Sequence, residues 1–190
     1  MNTVFTTLRT ANEARQKIWD PENKIDLKWR VNELAGEAGE LCNVLKKLVR
    51  AAKGLKGSRV GDNDLADELA DVVICTDLVA MTAGINPIPF GSGALCDTCK
   101  GLGAEDFGIR LDARVGYVCF LVDEHHWNEP MEGFEEILAE ALAGVLDIAH
   151  AIAVKNSTSD LRALVSNKFN ATSAKVGLPV YLDITTPVAG

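Results

Sequence analysis

The chain has 190 residues, 47% hydrophobic and 24% charged, with a formal net charge of -8. That apolar fraction is ordinary for a folded protein, and the length allows one large domain or two small ones with a real core. The excess of acid excludes a general binder of nucleic-acid polymers, which needs a basic surface, but not a phosphorylated small molecule held through metal ions.

The N-terminal segment MNTVFTTLRTANEARQK lacks the apolar core of a signal peptide. The most apolar tract, Val72 to Leu95, is broken by Asp77, Pro87 and Pro89 before one helix spans a bilayer. A soluble, cytoplasmic protein without a membrane partner is expected. Five cysteines, an odd number, point to reduced thiols.

Residues 3–19 carry Val4, Leu8, Ala11 and Ile18 near helical spacing, with Thr3 available as a cap and Asp20-Pro21 as a stop. Residues 26–53 predict a longer helix with the stripe Val31, Leu34, Ala38, Leu41, Leu45, Leu48 and an acidic face of Glu33, Glu37 and Glu40. Gly36 and Gly39 each cost roughly 1 kcal/mol in a helix interior, so something is expected to approach the backbone there. The Gly-rich basic stretch 52–63 is either a solvated loop or a phosphate-contacting one. Residues 64–84 predict a helix that is apolar almost all round and therefore buried, yet contains Glu68, Asp71 and Asp77. Residues 86–106 read as a linker, 108–126 and 133–155 as helices, and 159–173 as a last helix with Ser159 as a cap. An extended tail follows from Val180.

The chemistry lies in two pairs of acids, Glu37 with Glu40 and Glu68 with Asp71. Each pair is spaced three residues apart and so shares a helix face. Two carboxylates about 5 Å apart repel by roughly 3 kcal/mol at an effective dielectric of 20. Four gathered between two helices need a cation, and Mg²⁺, a hard ion preferring oxygen, is the natural one, with Mn²⁺ as substitute.

Leu65–Ala80 aligns without gaps to Leu138–Ala153, and Ala38–Leu45 to Val115–Val122. Apolar positions agree and acids do not: Glu37, Glu40, Glu68 and Asp71 face Arg114, Tyr117, Ala141 and Gly144. This pattern predicts an internal tandem duplication, with a working half and a half that kept its packing code but lost its charges. Residues 1–86 would form the catalytic half, 87–107 a linker, and 108–190 the degenerate half followed by the last helix and tail.

The E-x-x-E of Glu37 and Glu40, a spacer, and the E-x-x-D of Glu68 and Asp71 resemble the MazG-like branch of the all-α nucleoside triphosphate pyrophosphohydrolases, related to the dimeric dUTPases. The resemblance runs from about Ile25 to Ile85 and resumes at Lys168-Phe169-Asn170-Ala171-Thr172 through Pro179. It implies a helical bundle holding Mg²⁺ on the four acids, which cleaves a nucleoside triphosphate to the monophosphate and pyrophosphate. It also implies a homo-oligomer, a dimer in the simplest case, or a pseudo-dimeric monomer. The intervening stretch, which holds the degenerate repeat, departs from the compact family pattern. Another outcome is a nucleotide-binding regulatory module of the same fold with little turnover.

Lys168 falls among Leu161, Leu164, Val165 and Phe169, so it either snorkels outward or meets an anion; the resemblance favours phosphate. Asn170 and Lys175 are further substrate contacts by resemblance. Trp29 either stacks on a base or joins the core; Asn32 and Glu33, one turn ahead of Glu37, are placed to add a base or metal contact, with Glu33 equally a plain exposed acid. A competing constellation is Cys96-x-x-Cys99, which with Cys119, His125 and His126 has the residue types of a zinc site.

Overall fold

The computed structural model describes residues 2–61, 63–91, 97–128, 130–156 and 160–185. Their fold is all-α, as the apolar spacing predicts. The order is β1 (Thr3–Phe5), α1 (Leu8–Trp19), α2 (Leu27–Ala52), α3 (Asp64–Thr82), the short α4 (Asp97–Lys100), α5 (Ala104–Trp127), α6 (Phe134–Lys155), α7 (Leu161–Val176) and β2 (Val180–Leu182).

Side chains and one glycine set the helix ends. Thr7 Oγ1 accepts from Thr10 N at 3.3 Å, Asp26 from Trp29 N at 2.8 Å and Asp160 from Arg162 N at 3.0 Å. Gly177, at φ 72°, closes α7, and Leu178 N donates to Ser173 O at 2.9 Å. Two expectations change here. Thr3 does not cap α1; it opens β1, which pairs in parallel with β2, Thr3 against Val180. Ser159 lies outside the described residues, and Asp160 supplies the cap of α7.

The all-round apolar α3 takes the centre, packed by α1, α2, α6 and α7. Its buried Leu69, Val72, Val73 and Val79 meet Leu34 and Leu41 of α2 in one core that also takes in Leu142 and Ile152 of α6 and Phe169 of α7. Each fully buried leucine or valine contributes roughly 1.5–3 kcal/mol. Asp77, largely but not fully buried on α3, finds its partners on α1: Arg9 at 3.0 Å and Asn12 Nδ2 at 2.8 Å. Among the described residues, the helix long and apolar enough to cross a membrane is α6, and 56% of its apolar window is buried inside the bundle.

Helix α2 runs antiparallel to α5. Lys28 Nζ lies 3.0 Å from His126 Nε2 at one end, and Lys53 pairs with Glu105 at the other. Six of the seven buried residues of α2 align with buried residues of α5, and seven of the nine of α3 with buried residues of α6. The aligned helices are also neighbours, α2 against α5 and α3 against α6. At Gly36 and Gly39 the expectation of a close approach fails: a Cβ at either would meet nothing within 4 Å.

Candidate metal centre

The i, i+3 spacing delivers what the helix geometry demands. From α2 come Glu37 and Glu40, and from the packed α3 comes Glu68; one carboxylate oxygen from each lies within 4.8 Å of the others. Asp71, one turn further along α3, belongs to the same electrostatic cluster and makes an ion pair with Lys168 Nζ of α7 at 2.7 Å. Lys168 therefore meets an anion instead of snorkelling, and the anion is the protein's own.

The cluster remains short of positive charge. Glu37 is pushed up to about 7 by burial and then by Asp71, Glu40, Glu68 and Glu33. Burial, followed by Glu40 and Asp71, raises Glu68 against the pull of Lys168. Burial also raises Asp71, because one lysine does not outweigh it together with Asp67 and Glu40. Burial alone would lower Lys168; its hydrogen bond to Asp71 and the charges of Asp71, Asp67 and Glu68 hold it above its usual range instead.

These donors fit a hard divalent ion. They are all carboxylate oxygens, partly open to solvent, and their mutual repulsion falls when a cation enters. Two ligands on one Mg²⁺ sit at most about 4.2 Å apart. A spread of up to 4.8 Å thus needs a contraction of about 0.6 Å at most.

A second group, largely unread in the sequence, borders the acids. Arg15 of α1 stacks its guanidinium 3.4 Å from the Phe169 ring centroid and donates from Nη2 to Phe169 O at 2.8 Å and Ser173 Oγ at 3.1 Å. Burial lowers it to about 10, with Asp71 pulling the other way. Arg30 is buried on α2, donates to Glu33 at 2.7 Å and to Gln16 Oε1, and lies 5.6 and 5.1 Å from the rings of Trp19 and Trp29. The two tryptophans are exposed and tilted, with centroids 5.9 Å apart. Trp29 is therefore a surface aromatic, not a core one. The available signals were Arg15 and Trp19 at i, i+4 on one face of α1, and Arg30 standing in the apolar stripe one turn before Leu34.

Two of the substrate residues expected from sequence sit otherwise, and a third lies further along α7. Asn32 lines a groove between α2 and α5 with Lys28, Gly116 and Phe120; five residues before Glu37, it is turned well away from it on the helix. Asn170 is committed to the backbone of β2, donating to Leu182 O at 2.9 Å and accepting from Leu182 N at 2.7 Å. Lys175 is exposed in the last turn of α7, two turns (~10 Å) beyond Lys168 on the same face.

The zinc constellation does not assemble from the described residues. Cys99 precedes α5, whereas His125 and His126 lie near its far end, about 30 Å along the axis. His125 stacks on Phe134 at 3.8 Å, and Cys96 lies outside the described residues. Among the described residues, Cys42, Cys75, Cys99 and Cys119 form no disulfide. Burial pushes Cys42, Cys75 and Cys119 upward, Cys42 to about 12, which keeps them protonated and unreactive.

Fold and site thus define an all-α bundle with a carboxylate pocket flanked by cations and paired indoles. Comparison with family models, curated proteins and solved structures finds no match to this chain.

Proposed function

We propose that the chain is a metal-dependent hydrolase that cleaves a ribo- or deoxyribonucleoside triphosphate to the monophosphate and pyrophosphate. The observation that carries this reading is the convergence of Glu37, Glu40 and Glu68 within 4.8 Å beside the Asp71–Lys168 pair. A carboxylate pocket this crowded calls for Mg²⁺ or Mn²⁺, and triphosphates are the ligands that most often share such ions with protein acids. Glu37, Glu40, Glu68 and Asp71 would hold the metal, and Lys168, beside Asp71, would contact a phosphate oxygen. The ion, when bound, neutralises the leaving pyrophosphate and lowers the pKa of the attacking water. Lys168 and Lys175 supply phosphate contacts along one face of α7, and Arg15 adds positive charge behind them. Trp29 and Trp19 offer faces for a base.

The in-register burial of α2 with α5 and α3 with α6 supports the reading of the second half as a degenerate copy. Its counterparts of Glu37 and Asp71 also meet: a Cβ on Gly144 would lie 3.3 Å from Arg114 Cδ. That half covers the working one and supplies no metal ligands.

Phosphorus NMR of the products tests the proposal. Pyrophosphate with monophosphate is expected; orthophosphate with diphosphate would contradict it. Tight nucleotide binding without product would favour a regulatory module of the same fold.

A further inference from the structure

Helix α5 has one apolar face too many for a helix that packs only inward. At 100° per residue, its core residues Leu111, Val115, Val118 and Val122 lie together. Ile109, Ala113, Gly116, Phe120 and Trp127 lie within about 60° of one another on the opposite side. Three of these are large and exposed: Ile109 at 71%, Phe120 at 54% and Trp127 at 73%. A helix apolar on two sides is normally covered on both.

The surface next to this stripe has matching hollows. Along the seam with α2 run two open grooves, one of about 620 Å³ beside Asn32 and Cys119 and one of about 730 Å³ beside Gly39 and Asn43. Beyond the local helix backbone and chain neighbours, no heavy atom lies within 4 Å of a Cβ placed on Gly39 or Gly116. Knobs and hollows thus occupy one face, the condition for a two-fold contact in which each copy fills the other.

We infer that the α2–α5 face binds a second copy of this chain, with the two α5 helices crossing antiparallel near Ala113 and Gly116. A two-fold axis there reverses α5 end for end and sets Ile109 of one copy against Phe120 of the other. It also brings Lys46, exposed on α2, within reach of Asp123, exposed on α5; the α2 edge of the seam carries Lys28 and Lys46, and the α5 edge Asp112 and Asp123. The face is about 36 Å long, from the 24 residues of α5, and about 20 Å wide across two helices. Its roughly 700 Å² per copy approaches the ~800 Å² per partner of a standard interface. The acids project from the other flank of α2, so the contact leaves the metal centre open, and the inference stands whether or not the chain is a hydrolase.

Sedimentation equilibrium of the full chain tests it. The wild type is expected to weigh twice its 20.4 kDa at tens of micromolar. Phe120→Glu and Ile109→Glu, each at an exposed position, are expected to weaken the dimer at least tenfold while the circular dichroism melt is kept. In mixed ¹⁴N and ¹⁵N protein, carbodiimide is expected to join Lys46 of one copy to Asp123 of the other. A monomeric wild type at 100 micromolar, a dimer unmoved by both substitutions, or inter-copy cross-links only outside this face would overturn the inference.

Discussion

Glu37 is held near a pKa of about 7, above the carboxylate value of 4.5, by burial and by four neighbouring acids. Between those two pH values the folded chain keeps a proton that the unfolded chain has lost, so folding stability contributed by this group is full at low pH and falls as pH rises through 7. The metal-free protein should melt lower at pH 8 than at pH 5.5. Glu37→Gln should flatten that slope and raise the pH 8 melting temperature by about 2 °C, less than the raw shift suggests because the group is partly screened by solvent. Added Mg²⁺ should stabilise the wild type more at pH 8 than at pH 5.5, since bound metal needs the ionised acids. Differential scanning calorimetry with and without chelator reads all three; a melting temperature that rises with pH in chelator would reject the crowded-acid picture. Lys168 has a different signature. Its ammonium is the one cation ion-paired to an acid of the quartet among the described residues, and Lys168→Met should raise KM for a triphosphate about tenfold, equivalent to about 1.4 kcal/mol. An unchanged KM with lowered kcat would place Lys168 outside substrate binding.

The elements show where local pattern sufficed and where it did not. The stripe Val31-Leu34-Ala38-Leu41-Leu45 and the all-round apolar α3 were legible because 3.6-residue periodicity persists over many turns, and α3 is buried as its composition demands. The extended backbone from Val180 was legible, but β1 and its pairing with β2 were not, because so short a run shows no alternation and the partners lie far apart in sequence. Asn170 was assigned to substrate by resemblance alone, and its amide instead holds Leu182 of β2. Asn170→Ala should cost about 1–3 kcal/mol, the range for leaving buried backbone groups unsatisfied. It should also speed amide exchange at Val180–Leu182 while leaving that of α3 unchanged. Equal protection of β2 in wild type and variant would show that the strand is held by β1 alone. Arg15 and Trp19 escaped notice because only the apolar stripe of α1 was informative, whereas their role depends on Phe169 and Trp29 of distant helices.

For the whole molecule, the four acids were legible as a set because helix spacing dictates which side chains share a face. Their inequality was not, since it takes the packing of α7 on α3 to give Asp71 a lysine and leave Glu37, Glu40 and Glu68 without one. The proposed working half and covering half predict one metal-dependent site per chain, because Arg114, Tyr117, Ala141 and Gly144 offer no carboxylate. The central claim is that the acid quartet hydrolyses a nucleoside triphosphate, and its most direct test is pyrophosphate release. A panel of ribo- and deoxyribonucleoside triphosphates would be assayed with Mg²⁺ or Mn²⁺ for wild type, Glu40→Gln and Asp71→Asn. The account predicts turnover of at least one triphosphate by the wild type and a loss of at least a hundredfold in both variants. Equal turnover by all three proteins, or none by the wild type on any member of the panel, would contradict it.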